Sequence, residues 1–317
     1  MSDVFTSTSS ISDIVQEAFD RTAYFALRPE LYFDQVSTVR ATRQAMPGET
    51  VTFTKYADLS EATTPLSETV DPFAVGLSET QVSVTLSEYG NVVVTTAKLR
   101  ALSFLDVDMD AANVVGFNAG VSVDTLAREA MSVGTNVVYA AGANSTPASR
   151  GQIEAEDTLD GSDVRKVVAQ LRTANVPTLG AGMYVGMIHP NVSYDFRTAQ
   201  GASNWRDPHI YVDTQNIYQG EIGAWEGVRF IETPRAKIWT GSGSGSINVY
   251  ATHVVGFQAL AKAVANTAGY GEQPMIVRGP VTDKLERLQP IGWKHLVGYK
   301  IFREESVRRI ESSSSLG

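Results

Sequence analysis

Residues 106–142 read DVDMDAANVVGFNAGVSVDTLAREAMSVGTNVVYAAG, and this stretch decides the fold. Three aspartates crowd its start, where carboxylates interact favourably with the N-terminal end of a helix. Small and apolar side chains then recur along one stripe at helical spacing. The stripe consists of Ala119, Val123, Leu126, Ala127, Ala130 and Gly134. We therefore predict one long helix over about 106–142, with a face of small residues that another backbone can approach closely.

A long hairpin is predicted ahead of this helix, over residues 46–96. Two segments alternate apolar residues with serine or threonine, around Val51 and around Val84, which is typical of strands. An acidic, proline-containing connection over 57–79 joins them, and a third strand is predicted at 91–96. Strands with so few apolar residues need support from outside. We therefore predict that the hairpin packs on a neighbouring chain, with these contact residues: Phe53, Phe73, Val82, Val84 and Leu86.

The chain before the hairpin is predicted to form an arm. Apolar residues at helical spacing over 11–18 predict a short amphipathic helix. Pro29 ends any such helix, because the residue before a proline disfavours the helical region. Residues 29–45 have no clear period and are predicted to be extended.

Short strands and helices alternate after the long helix, which indicates a compact α+β or α/β unit. Val164, Val167, Val168 and Leu171 predict an amphipathic helix behind Asp160. A further helix is predicted from Phe257, Leu260, Ala261 and Val264. Strands are predicted at 183–188, 227–232, 237–240, 247–253, 275–278 and 292–302.

Composition excludes several classes of protein. The 317 residues include no cysteine, which rules out a disulfide framework, a thiolate zinc site and a cysteine nucleophile. Lysine and arginine number 26 against 35 aspartates and glutamates, so the chain lacks the basic surplus of a dedicated nucleic-acid binder. No apolar run approaches the ~20 residues of a membrane span. The N-terminus has no secretory signal pattern. No membrane partner is expected.

No catalytic or cofactor-binding pattern is found. The nucleophile elbow, the P-loop and the dinucleotide motif are absent. The acidic triplet at 106–110 lacks the glycine and glutamate of a calcium-binding EF-hand loop. We therefore expect a protein that is not an enzyme and has no cofactor or metal. A metal-dependent hydrolase using His189, Asp195 and His209 is the alternative from a different class.

Short motifs in a fixed order run through about residues 45–305, and none of them is catalytic. They are Tyr89-Gly90, Gly134-Thr135-Asn136-Val137-Val138-Tyr139-Ala140, His189-Pro190, Tyr194-Asp195-Phe196-Arg197, Ile217-Tyr218-Gln219-Gly220-Glu221-Ile222-Gly223, Glu226-Gly227-Val228-Arg229-Phe230-Ile231-Glu232-Thr233, Ile291-Gly292-Trp293-Lys294 and Gly298-Tyr299-Lys300. With the order of arm, hairpin, long helix and compact unit, the chain resembles the major capsid proteins of tailed double-stranded DNA phages with the HK97-type fold. The motifs are similar to those of the family named after the phage N4 major capsid protein.

The resemblance implies an α+β HK97-type capsid fold divided into named parts. These are an N-terminal arm at 1–45, an extended E-loop hairpin at 46–96, a peripheral domain at 97–155 and 280–317 with its long spine helix, and an axial domain at 156–279. Some relatives cross-link through a lysine of the E-loop. Lys55, the only lysine of the hairpin region, is predicted to lie on a strand, so cross-linking is not expected.

The implied function is that of a major capsid protein, which self-assembles from pentamers and hexamers into an icosahedral head shell. The shell would enclose double-stranded DNA without sequence-specific binding, within the virion, after assembly in the bacterial host cytoplasm. A portal protein, a scaffolding protein and a decoration protein are the implied partners. The alternatives are an encapsulin-like compartment shell of the same fold and a surface-layer or tail-tube subunit.

Overall fold

The structure, a computed structural model, describes residues 31–43, 50–66, 68–69, 71, 73–103, 107–142, 145–179, 182–198, 221–266, 269–281 and 283–317. The predicted helix at 11–18 and the candidate ligand His209 lie outside these residues. Helices and strands are mixed along the chain, in agreement with the predicted α+β class. Of the described helices, none combines the length and apolar character that crossing a membrane requires.

The secondary structure elements are as follows. The helices are α1 (Ala97–Leu102), α2 (Val107–Ser132), α3 (Gly161–Thr173) and α4 (Pro190–Thr198). The strands are β1 (Ser37–Arg43), β2 (Thr50–Tyr56), β3 (Glu79–Thr85), β4 (Ser87–Thr96), β5 (Val137–Tyr139), β6 (Tyr184–Ile188), β7 (Glu221–Trp225), β8 (Val228–Glu232), β9 (Ile238–Trp239), β10 (Val249–Val255), β11 (Leu260–Asn266), β12 (Met275–Arg278), β13 (Leu288–Ile301) and β14 (Val307–Ser312).

The long strand β13 organises a five-stranded sheet. β4 pairs with one edge of β13, β11 and β12 pair with the other, and β1 lies parallel to β11. α2 packs on one face of this sheet, where the Trp293 indole donates a 2.8 Å hydrogen bond to Asn118 Oδ1. The small-residue stripe is the buried face of α2, since Ala119, Val123 and Ala127 are buried.

A seven-stranded sheet forms the second half of the fold, in the order β5-β14-β10-β6-β8-β7, with β9 beside β10. The apolar stripe of α3 packs into its core with Phe196 of α4 and Phe230 of β8. Asp160 and Asp163 form a capping box at the start of α3, which satisfies backbone donors that a helix leaves free. The helix predicted behind Asp160 is therefore confirmed.

The long helix is shorter than predicted, because it ends at Ser132 instead of about 142. The β-branched pair Val137 and Val138 lies in β5, which pairs in parallel with β14. Arg309 of β14 donates to the carbonyl oxygens of Ser132 and Gly134, at 2.5 and 3.0 Å. A cation at this position satisfies carbonyls that the last helical turn leaves unpaired.

The helix predicted over 257–264 is wrong, because these residues lead into strand β11. Ala261, Ala263 and Ala265 lie on one face of that strand and pack under the hairpin. Leu260 lies on the other face, in the core around α2. Both faces are buried, so the apolar residues follow no single period, and a short apolar run of this kind fits a strand as well as a helix.

Part of the predicted extended arm is built into the five-stranded sheet. Residues 37–43 form β1, which pairs along its whole length with β11. The third predicted hairpin strand is likewise part of this sheet, because β4 pairs with β13 and leaves β2 and β3 as a separate two-stranded ribbon. Among the described residues, β2 and β3 thus pair with each other and with no strand of the larger sheet.

Candidate inter-subunit surfaces

The base of the β2–β3 hairpin packs on the face of the five-stranded sheet opposite α2. Phe53, Val84 and Leu86 are buried there, with exposed fractions of 2%, 1% and 7%. The rings of Phe53 and Phe302 lie 5.6 Å apart between centroids. Small residues make this close approach possible.

Gly298 is the position where the hairpin comes nearest to the sheet. A Cβ at Gly298 would collide with the carbonyl oxygen of Thr85 and would lie 2.9 Å from Val84 Cγ1. The three alanines of β11 complete this contact surface. The hairpin base is therefore fixed to its own chain by a fitted apolar contact.

This packing changes the interpretation of the five predicted contact residues. Phe53, Val84 and Leu86 are buried against their own chain, and Val82 packs at the edge of the same cluster. Their own chain therefore provides the apolar packing that we expected a neighbouring chain to provide. Phe73 is 96% exposed, and contact between it and a neighbouring subunit stays a prediction.

The connection over residues 57–78, which we call the hairpin loop, exposes large apolar side chains. Exposed fractions run from 54% to 96% for Leu59, Leu66, Phe73, Val75 and Leu77. Four acidic residues and no lysine or arginine accompany them. Several large exposed apolar side chains within one segment are typical of a contact surface for another protein. The sequence pointed to Phe73 alone, although the other four apolar residues stand out in the same acidic connection.

A groove lies beside the hairpin base on the same face of the sheet. Its volume is about 380 Å³, and it is lined by Gly90, Asn91, Val92, Val277, Gly279, Pro290, Gly292, Trp293 and Lys294. Gly90 and Gly292 form its floor, where a Cβ would meet the paired strand at 2.7 and 2.6 Å. The motifs containing Tyr89-Gly90 and Gly292-Trp293 therefore belong to the packing of this sheet.

Residues 31–36, which we call the anchor segment, connect the chain's N-terminal part to the core through two aspartates. The Phe33 N–H donates to Asp124 Oδ1 of α2 at 2.8 Å, and Arg235 Nε donates to Asp124 Oδ2 at 3.0 Å. Asp34 accepts from Lys262 Nζ at 2.8 Å and from the Tyr299 hydroxyl at 2.6 Å. No sequence motif indicated this network, because the two residues of each hydrogen bond lie more than ninety positions apart.

The residues of the alternative hydrolase hypothesis have structural roles where they are described. His189 Nδ1 accepts the Asn191 N–H at 3.1 Å, and burial lowers the pKa of this histidine. Asp195 accepts the Ser315 N–H at 2.9 Å. Across the described residues, no three histidine, aspartate or glutamate side chains are grouped so that they could hold a metal ion.

The comparisons with known proteins agree on one class of protein. A model of the family described as phage capsid protein matches residues 8–315. The capsid of Ralstonia phage GP4 is similar in structure, with a TM-score of 0.77, 16% identity and coverage of 95% of this chain and 96% of that chain. The cyanophage Pam1 capsid has a TM-score of 0.76 and 15% identity, with coverage of 99% of this chain and 100% of that chain. The capsid of Helicobacter pylori bacteriophage KHP30 has a TM-score of 0.71 and 12% identity, with coverage of 98% of each chain. No curated protein matches.

These similarities confirm the predicted HK97-type fold. With the family match, they also confirm the prediction of a major capsid protein that forms a phage head shell and is located in the virion capsid. The closer relation to the N4 family stays a prediction. Because the family model spans nearly the whole sequence, the chain belongs to the phage capsid protein family.

Proposed function

We propose that this capsid protein assembles with itself, as pentamers and hexamers, into an icosahedral shell around the double-stranded DNA of a tailed phage. The observation that carries the proposal is the hairpin loop. Its apolar side chains are exposed in the single chain, although exposure of several such groups together costs free energy in water. When a neighbouring copy covers this surface, its apolar side chains are removed from water and that cost is relieved.

In the proposed arrangement, the hairpin base stays on its own subunit and the hairpin loop lies across the next one. The fitted contact at Gly298 supports this division, because it gives the loop a fixed origin. The remaining parts follow the boundaries given above for the arm, the peripheral domain and the axial domain. Each subunit then touches several neighbours, and contacts that are modest singly add up over a closed shell.

The charge of the chain is consistent with enclosing DNA without binding it tightly. The formal charge is −9, so the chain as a whole repels phosphate. We therefore propose that DNA is held by confinement, not by sequence-specific contacts. Portal, scaffolding and decoration proteins are the proposed partners, assembly takes place in the host cytoplasm, and the protein has no enzyme activity.

Electron microscopy of the purified protein, with sedimentation velocity, tests this proposal. We expect closed round or polyhedral shells, and particles from infected cells are expected to contain nuclease-protected DNA. Shells filled with an enzyme would instead support the encapsulin-like alternative. Sheets or open tubes, or particles that stay small even when a co-expressed scaffold is present, would contradict the proposal.

A further inference from the structure

Two buried histidines lie near consecutive residues of the anchor segment. His253 of β10 is 0% exposed, and its ring meets the ring of Phe33 edge-on, with centroids 6.0 Å apart. His295 of β13 is 1% exposed and lies within electrostatic range of Asp34 and Lys262. One imidazole therefore interacts with Phe33, and the other interacts with Asp34.

Neither histidine has the hydrogen bonds that a charged imidazolium would need. Within the described part of the chain, neither ring nitrogen of His295 has a hydrogen-bond partner, and the same holds for Nδ1 of His253. His253 Nε2 lies 3.3 Å from the Ser132 hydroxyl. A buried imidazolium has two N–H donors to satisfy, so both rings are suited only to the neutral form.

The charged groups around His253 oppose protonation. It pairs across the sheet with Arg309 of β14 and with the apolar Met187 of β6. On α2, Arg128 acts in the same direction as Arg309, and Glu129 acts against them. Burial first, and then these two arginines, lower the pKa of His253 to about 3.

A cation also faces His295. Lys262 of β11 lies on one side, and Asp34 of the anchor segment partly offsets it. Tyr89 of β4 stands opposite His295 in the sheet. The Tyr299 hydroxyl donates to Asp34, and Asp124 acts electrostatically on Tyr299. Burial, followed by the charge of Lys262, lowers the pKa of His295 to about 4.

We propose that His253 and His295 make the anchor segment acid-sensitive, so that their protonation releases residues 31–36 from α2 and the five-stranded sheet. A charged His295 would repel Lys262, the cation that donates to Asp34. A charged His253 would add a third cation beside Arg309 and Arg128, against the ring of Phe33. Both changes weaken the attachment of the same short segment.

The direction with pH follows from the lowered pKa values. A freed histidine titrates near its ordinary pKa of 6.5, whereas the anchored ones hold their neutral form down to about 4 and about 3. The stabilising effect of the neutral rings is complete above pH ~6.5 and is lost as the pH falls below it. At pH 5, each histidine ring that becomes hydrated on release should raise the equilibrium constant for release by about thirtyfold relative to neutral pH.

Hydrogen–deuterium exchange of the full-length protein tests this inference, and it does so in any assembly state. Protection factors, corrected for the intrinsic pH dependence, are compared between pH 7 and pH 5. We expect the amides of residues 33–37 to lose protection by tenfold or more, while those of α3 keep theirs. The double variant His253→Gln and His295→Gln is expected to keep its protection at pH 5, and His189→Gln is expected to behave like the wild type.

Two results would overturn the inference. One is a wild-type protein whose anchor amides keep their protection down to pH 5. The other is an equal loss in the wild type and in the double variant. If the double variant fails to fold, the inference is tested by the pH at which the wild-type anchor amides begin to lose protection. An onset between pH 6.5 and pH 5 supports the histidines. An onset only below pH 5, where a histidine of ordinary pKa is already protonated, contradicts the inference.

Discussion

Phe53 and Phe73 belong to the same hairpin but are expected to respond to substitution in opposite ways. Phe73 is 96% exposed in the chain, and Phe53 is 2% exposed. We predict that Phe73→Ser leaves the free energy of unfolding of the subunit within about 0.5 kcal/mol of wild type, as is usual for exposed positions. Phe53→Ala is expected to lower it by about 3–5 kcal/mol, because a buried ring is removed.

The same Phe73→Ser change is expected to impair assembly. Burial of a phenylalanine side chain contributes about 1.5–3 kcal/mol, which corresponds to roughly a ten- to hundredfold change in an association constant. Each subunit offers one hairpin loop, so this loss occurs once per subunit. The lowest protein concentration that gives shells should therefore rise by about tenfold or more.

The assay combines urea unfolding of the subunit with light scattering and sedimentation velocity over a range of protein concentrations. Ser78→Ala, a small change at the end of the same loop, serves as a control that should affect neither property. If Phe73→Ser assembled at the wild-type concentration, Phe73 would not be a contact residue, and the proposed role of the hairpin loop would lose its main support.

Three further substitutions test the fold. Gly298→Ala should cost about 1–3 kcal/mol of stability in urea unfolding, because its Cβ collides with Thr85, whereas Gly76→Ala has no neighbour within 4 Å and should be tolerated. Arg309→Ala removes the cap of α2 and one partner of the fully buried Glu311, and a loss of about 2–4 kcal/mol is expected; a loss below 1 kcal/mol would contradict that role. Burial raises the pKa of Asp163 to about 6, so the contribution of this residue to stability should become more favourable as the pH falls from 7 towards 4. Asp163→Asn should therefore be more stable than wild type by about 1–3 kcal/mol at pH 7, with no such advantage at pH 4, as measured by thermal unfolding across pH.

Local patterns correctly predicted the elements that bury one face only, because their apolar residues then recur with the period of a helix or a strand. The stripe from Val164 to Leu171 follows a clear cap and faces one core, so its period shows the helix directly. The strand alternation around Val51 and Val84 likewise gave β2 and β3. The capsid fold itself was predicted from the order of parts and from the motifs, and the comparisons confirm it.

Long-range contacts account for what the sequence did not predict. β11 is buried on both faces, so Leu260 and Ala261 could belong to a helix or to a strand until the pairing with β13 is known. α2 ends at Ser132 because Arg309 and β14 lie there, 177 positions away along the chain. The interior location of Phe53 depends in the same way on the alanines of β11.

Cryo-electron microscopy of assembled particles, at a resolution that shows side chains, tests the central claim most directly. We predict a closed icosahedral shell in which the hairpin base keeps its contact at Gly298 and the Phe73 ring lies against a neighbouring subunit. A shell in which the hairpin loop projects into solvent, or folds back on its own subunit, would contradict the proposed role of the hairpin.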